Sequence, residues 1–270
     1  MADRPHPADR PHPGERTHAL ELLRAGAAAL GLTLGARHLS AFETYYRELS
    51  AWNERFNLTA ITGYEEVQRR HFVDSLSALL ALPVGPADRL PDVVPIQVGS
   101  SSLRLADVGS GAGFPGIPLK IMLPDARVTL IEATAKKATF LRHMVRLLGL
   151  EGVEVLAARA EDVGRMPEHR EQYDLVVARA VAPLCVLAEY CLPLCRVRGR
   201  VVAHKGSEGV EEARSAVPAI ELLGGALVGV KTLEIEELPP GRTLVVIDKV
   251  AKTPEEYPRR PGIPSKRPLC

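Results

Sequence analysis

The stretch LADVGSGAGFPGIPL, Leu105–Leu119, runs from apolar residues through Gly109, Gly111, Gly113 and Gly116 and back to apolar residues. Glycine inside a strand or helix costs roughly 0.5–1 kcal/mol relative to alanine. A cluster this dense therefore marks a tight turn, a close backbone approach to a ligand, or both. The flanking LRLADVG reads as a short buried strand, and GIPLKIMLP as a helix in which Pro115 and Pro118 are tolerable only in the first turn. A strand, a glycine turn and a helix in this order form the place where doubly wound sheets bind nucleotides.

The same rhythm continues downstream. RVTLIEA reads as a second strand, KKATFLRHMVRLLGLEG as an amphipathic helix, VEVLAARAED as a third strand and YDLVVARAV as a fourth. LCVLAEYCLPLC is a helix, GRVVAHKG a fifth strand and EEARSAVPAIELLGG a further helix. VGVKTLEIEEL and GRTLVVIDKV, joined around Pro239-Pro240-Gly241, predict a closing antiparallel hairpin. Alternating strands and helices predict an α/β fold, Rossmann-like, with a mostly parallel sheet covered on both faces. This domain spans residues 103–250. Residues 17–82 read as an N-terminal helical subdomain of three helices. The second starts at a capping box made by Ser40 and Glu43, and the third follows Gly63. Residues 83–102 form a proline-rich connector. Residues 1–16, in which ADRPHP occurs twice, read as a disordered tail, and residues 251–270 as a basic, proline-rich tail.

Of the 270 residues 46% are hydrophobic, enough to bury a core, yet no apolar run approaches the roughly 20 residues of a membrane helix. The N-terminus MADRPHP lacks a signal-like apolar core, which predicts a soluble, cytoplasmic protein. Reduced thiols suit that compartment: Cys185, Cys191 and Cys195 read as small buried hydrophobes on one helix, with Cys270 at the other end of the chain. No His, Cys and Asp grouping has metal-ligand spacing, so no metal is expected. His71, Asp74 and Ser75 hold the residue types of a hydrolase triad but lie within about one helical turn, too close for that relay. They fit a helix face closing over the cleft, or simple capping. The net charge of +1 does not announce a nucleic-acid partner, so any basic surface must be local.

Glu132 ends the second strand, 23 positions after Gly109. A carboxylate there accepts hydrogen bonds from both ribose hydroxyls of a bound nucleotide. A dinucleotide would place its pyrophosphate on the helix N-terminus, but Pro115 and Pro118 remove two backbone donors there. The GxGxG spacing preceded by Asp107 instead resembles the first motif of S-adenosylmethionine methyltransferases; an acidic residue near the loop suits a sulfonium and an ammonium rather than phosphates, and Asp107 is expected to face the cofactor.

A narrower resemblance rests on an ordered set. DVGSGAGFPGIPL, RAED, ARAVAPL, HKG and the C-terminal YPRRPG-x-P-x-K-x-PL are similar to the ribosomal RNA small subunit methyltransferase G family, also called glucose-inhibited division protein B. NLTAIT and HFVDSL upstream are similar to it too, so the likeness runs from about Phe42 to Cys270. It implies a class I S-adenosylmethionine-dependent methyltransferase fold, methylation of a guanine N7 in 16S ribosomal RNA, and a monomer acting on the small ribosomal subunit. It places Gly109, Ser110, Gly111 and Phe114 around the methionine moiety and the adenosine. Glu132, Ala133 and Thr134 fall at the ribose turn, and Ala160 with Glu161 at the adenine. Either Glu161 or Asp162 takes the adenine amino group, and the resemblance favours Glu161. Arg179 falls between the methyl donor and the incoming base as a positioning residue.

An Asn/Asp-Pro-Pro-aromatic box, the mark of enzymes that methylate exocyclic amines, is replaced here by RAVAPL. Guanine N7 has an in-plane lone pair and no proton to remove, so alignment rather than a general base is expected, and orientation supplies roughly 7–11 kcal/mol. RNA contacts are expected from Arg69 and Arg70 and from Arg259, Arg260, Lys266 and Arg267 of the tail, whose prolines keep it extended. A methyltransferase of a protein or small molecule, and a nucleotide-binding module without catalysis, remain the alternatives on this fold.

Overall fold

The computed structural model describes residues 20–82 and 102–270. The N-terminal tail and, as far as residue 101, the connector lie outside the described residues. Seven strands form one sheet: β1 Arg104–Val108, β2 Arg127–Ile131, β3 Val153–Leu156, β4 Tyr173–Arg179, β5 Cys195–Lys205, β6 Gly225–Thr232 and β7 Thr243–Lys249. Their order is β3-β2-β1-β4-β5-β7-β6. The first five are parallel, and β7 runs antiparallel to both β5 and β6. From β1 the chain winds outward to β2 and β3 on one side and returns to β4 and β5 on the other. The crevice of such a sheet opens at the carboxyl ends of β1 and β4.

Strand residues are apolar on both faces because both faces are covered. Leu105, Leu130, Leu175, Val177, Val202 and Val246 enter one core. Their neighbours Ala106, Ile131, Val176, Ala178, Val201 and Ile247 enter the other. The first core is closed by α1 Glu21–Ala29, α2 Ala36–Phe56, α5 Gly116–Met122 and α6 Ala135–Leu147. The second is closed by α8 Leu184–Cys191 and α9 Gly209–Leu222. Residues 20–82 thus share a core with the sheet. Phe42, Tyr45 and Phe72 of the helical segment meet Phe114 of the glycine loop there, with the Tyr45 ring stacked 5.1 Å from Phe114.

Four local expectations need correction. The second helix starts at Ala36, not Ser40: the Gly35 N–H donates to His38 Nδ1 at 3.2 Å, and Glu43 instead accepts the Tyr64 hydroxyl at 2.7 Å. The helix after Gly63 changes winding along its length, from α3 Tyr64–Val67 through a π turn Gln68–Val73 to α4 Asp74–Leu76 and a 3₁₀ turn Ser77–Ala81. The third strand stops at Leu156, and Ala160–Val163 forms a helical turn, α7, whose first-turn acids Glu161 and Asp162 suit a helix start. The cysteines are not equivalent: Cys191 and Cys195 are buried free thiols, with Cys195 opening β5, whereas Cys185 is joined to Cys270 as a disulfide, Cα atoms 6.0 Å apart.

Gly116 fixes the seat of α5 on the sheet. A Cβ there would lie 2.4 Å from Leu130 Cδ2 and 2.6 Å from Asp107 Oδ2. Gly116→Ala therefore costs about 1–3 kcal/mol through overpacking, read as a lower urea midpoint at unchanged m-value. An unaltered midpoint would show that α5 shifts freely.

Candidate cofactor and substrate site

A cleft of about 370 Å³ opens at the carboxyl ends of β1, β2 and β4. Its floor is the loop after β1. Gly109 and Gly111 adopt φ of +70° and +58°, which disfavour any side chain, and a Cβ at Gly109 would meet Val181 Cγ2 at 2.6 Å. Backbone is therefore all the loop presents at these two points. The loop is held from the next strand: Glu132 Oε2 accepts the Gly111 N–H at 2.8 Å, and its Oε1 accepts the Thr134 N–H at 2.7 Å. One carboxylate thus anchors two turns while keeping further lone pairs for hydroxyl donors.

Gly109, Ser110, Gly111, Phe114, Glu132, Ala133, Thr134, Ala160, Glu161 and Arg179 all line this cleft. Asp107 does not, which corrects its placement among the ligand-facing residues. It lies fully buried beneath the loop, where Oδ2 accepts the Gly116 N–H at 3.0 Å and Oδ1 has no hydrogen-bond partner among the described residues. Burial pushes its carboxyl up to about 7, so the Asp107 side chain shapes the loop from below.

Several lining residues escape a reading by motif: Thr59, Lys137, Arg159, Val181 and Tyr190. The π turn brings His71 to the cleft, its ring stacked 4.3 Å from Phe114. A single turn of widened winding has no hydrophobic period of its own, although such turns gather at functional sites. Arg179, at the end of β4, passes over the same Phe114 ring at 5.1 Å. Its guanidinium donates to Arg70 O at 2.8 Å, Asp74 Oδ2 at 3.0 Å and His71 Nδ1 at 3.0 Å. The loop after β4 is fastened by Lys205 of the HKG motif, which donates to Ala182 O at 2.7 Å and Glu212 Oε2 at 2.6 Å.

The Asp74 carboxylate, 1% exposed, also takes Arg242 at 2.5 Å, and its backbone oxygen meets His204 Nε2 at 2.9 Å. Burial alone would raise this carboxyl, but His204, Arg179 and Arg242 together hold it below its ordinary value. A guanidinium only donates, so with Arg179 at 3.0 Å and the Arg70 carbonyl farther off at 3.2 Å, His71 Nδ1 is assigned as accepting from Arg179. The ring proton then sits on Nε2 and points to Thr59 Oγ1, 2.9 Å away. Burial, reinforced by Arg179, drives His71 down to about 3, and burial drives His204 to about 4.

The expected RNA contacts are dispersed. Arg70 is exposed and pairs with Glu66 at 3.2 Å, and Arg69 donates to Glu236 O at 3.1 Å. Arg260, Lys266 and Arg267 are exposed. Arg259 is not a free grip: its guanidinium forms a two-pronged ion pair with Glu189, itself 0% exposed, at 2.6–3.1 Å. The tail as a whole is not an extended arm, because its backbone is tied down by Arg170, which donates to the carbonyls of Thr253, Pro254 and Tyr257.

The strand order, the glycine loop at the sheet's switch point and the antiparallel last strand define a class I S-adenosylmethionine-dependent methyltransferase. The residues fit that cofactor, with a Cβ-free backbone floor at Gly109 and Gly111 and a carboxylate, Glu132, beside it. The chain belongs to the rRNA small subunit methyltransferase G family, whose model matches residues 38–239. A protein of this name from Roseiflexus sp. (strain RS-1) is 52% identical over 250 residues, spanning 93% of this chain and 100% of that one. Its namesake in Pelotomaculum thermopropionicum is 50% identical over 249 residues, 92% of this chain and 98% of that one. Among solved structures, M. jannaschii TYW2 in complex with AdoMet aligns with a TM-score of 0.44 and 20% identity, over 54% of this chain and 67% of that one. Among the described residues no helix is long and apolar enough to cross a membrane, and no group of His, Cys, Asp and Glu is arranged to hold a metal.

Two outcomes follow from this geometry. Removing the Glu132 carboxylate (Glu132→Ala) weakens S-adenosylmethionine binding by about 1.5–3 kcal/mol in calorimetric titration, the worth of a hydrogen bond to a charged group. Unchanged affinity would leave Glu132 as a strand end only. The buried histidines set the pH profile. Both are held below the free value, so the folded state binds fewer protons and their stabilisation, full above about pH 6.5, is lost as pH falls. Asp107, held up, acts in the opposite sense over about pH 4–7. Two histidines outweigh one carboxyl, so unfolding free energy falls by roughly 1.4 kcal/mol per pH unit between about pH 6 and 5. A flat urea-denaturation profile there would contradict the buried neutral histidines.

Proposed function

We propose that this chain transfers a methyl group from S-adenosylmethionine to N7 of a guanine in 16S ribosomal RNA, acting in the cytoplasm as a monomer on the small subunit. The observation that supports it best is the state of the groups around the cleft. Glu132 already accepts two backbone N–H groups, Glu161 accepts one from Gly262 at 2.9 Å, and His71 is a very weak base with both ring nitrogens engaged. Such a site orients rather than deprotonates, which suits an acceptor nitrogen with a ready lone pair. When bound, S-adenosylmethionine supplies an electrophilic sulfonium methyl.

The chain's own residues do the positioning. The glycine floor and Glu132 hold the ribose and the methionine end, and Glu161 faces the adenine. Arg179, fixed by three acceptors, forms a rigid wall against which the guanine is set. Thr59 Oγ1 accepts from the Ile61 N–H at 3.1 Å and from the His71 ring, so its own proton is left for an acceptor in the cleft. The guanine O6 has that chemistry. Arg69, Arg70, Arg260, Lys266 and Arg267 then supply phosphate contacts around the opening.

The test is methylation of small subunits that lack the modification, with the target guanosine intact or replaced by 7-deazaguanosine, and the product mapped by mass spectrometry. Transfer occurs to the first and is abolished by the second, in which a C–H replaces N7. Transfer to both, or to ribosomal protein, would overturn the reading. In the same assay Arg179→Ala lowers the single-turnover rate by about a hundredfold, the cost of roughly 1 Å of misplacement. The S-adenosylmethionine Kd changes far less. Equal losses in rate and affinity would make Arg179 part of the cofactor site alone.

A further inference from the structure

The C-terminal segment is bound to the body at successive points, and two of them fall on residues that line the cleft. Arg259 enters first, its guanidinium on the buried Glu189 of α8 and its N–H on Glu189 Oε1 at 2.7 Å. Three residues later the Gly262 N–H donates to Glu161 Oε1 at 2.9 Å. Ser265, in the short helix α10 Ile263–Lys266, pairs its hydroxyl with that of Tyr190 at 2.8 Å. The last residue, Cys270, is joined to Cys185 at the start of α8. Glu161 and Tyr190 both line the cleft, on the side away from the glycine loop's methionine end.

We infer that this segment is a strap that completes the purine end of the cofactor site and sets its preference for a 6-amino purine. The inference rests on the reading that S-adenosylmethionine places its adenine at Glu161. Glu161 is 3% exposed, and with Oε1 committed to Gly262 its carboxylate plane is fixed. Among the described residues Oε2 takes no hydrogen bond, and Glu161 lines the cleft, so this oxygen is left to accept from a ligand. A 6-amino group donates to it. A 6-oxo purine offers a lone pair instead, which a fixed carboxylate repels and a freely rotating one evades. Specificity of this kind needs a rejecting group held rigid as well as an attracting one. Gly262 is the positioning residue: it acts on the purine through Glu161 and does not itself line the cleft. Its φ of +81° lies in the left-handed region, so a glycine belongs there.

The experiment compares S-adenosylhomocysteine with S-inosylhomocysteine, its 6-oxo counterpart, by calorimetric titration of the full chain and of a chain ending at Arg260. The shorter chain keeps the Arg259–Glu189 pair and loses the Gly262, Ser265 and Cys270 ties together with the buried Pro264 and the packing of Leu269 on the second core. The full chain prefers the 6-amino ligand by about tenfold or more, the worth of one hydrogen bond to a charged group. The shortened chain binds it about tenfold more weakly, and its preference collapses towards unity. Equal affinity in the two chains overturns the inference. So does a loss of the same size for both ligands, because a merely structural strap would weaken them alike. If circular dichroism shows the shortened chain unfolded, Gly262→Pro, which keeps the chain but removes the N–H and draws the turn out of its left-handed conformation, is judged by the same two criteria. Failure of the full chain to bind either ligand would overturn the cofactor reading itself, an outcome distinct from loss of selectivity.

Discussion

The Asp74 carboxylate is the joint on which the arrangement turns. It belongs to the helical segment before the sheet, yet its charge is balanced by Arg179 at the end of β4 and Arg242 at the start of β7. A buried carboxylate stripped of its partners costs several kcal/mol, and so does a buried guanidinium. The helix, the central strand and the hairpin are therefore fixed to one another by two guanidinium groups that share one buried carboxylate. The His204 contact to the backbone oxygen of Asp74 and the Arg200 bond to Ala81 O at 2.8 Å extend this seam along the sheet. Through it, the helical segment becomes a wall of the cleft rather than an appendage.

The sheet could be read from the chain because its signals are local. Most strands are short and apolar, the turns after β1 and β5 carry glycine and the turn after β2 an acid, and Pro239-Pro240-Gly241 announces the reversal that makes the last strand antiparallel. Gly109, Gly111 and Glu132 were legible for the same reason, since turn geometry forces glycine and the next strand end must present a carboxylate. What the sequence hid depends on partners far along the chain. Arg259 reads as a free cation among prolines, and nothing near it shows that Glu189, 70 positions earlier, is buried and waiting for it. Cys185 and Cys270 lie 85 positions apart and share no spacing motif. Asp107 carries the residue type of a ligand contact, but only the packing of α5 shows that it points beneath the loop.

The π turn is the clearest case of local pattern giving way to tertiary demand. HFVDSL looks like an ordinary helix face. Ser75 still bonds back to His71 O as it would in regular α winding, while across the widened turn the ring of His71 meets Phe114 and Arg179. Burial then strips the ring of its usual basicity. A residue type known for proton transfer ends as a fixed polar wedge between an aromatic ring and a guanidinium, in keeping with a site that aligns its reactants.

The two bonds from Glu132 to the backbone of Gly111 and Thr134 have a thermodynamic corollary. They are formed within the protein alone, so the glycine loop already has the shape that a nucleoside meets. A loop without such an anchor would have to surrender its backbone freedom on each encounter, at roughly 1–2 kcal/mol for every residue brought to order. Here that entropy is given up once, during folding. Little of the attraction between ligand and cleft is then consumed in ordering the receptor, and a modest number of contacts suffices for useful affinity.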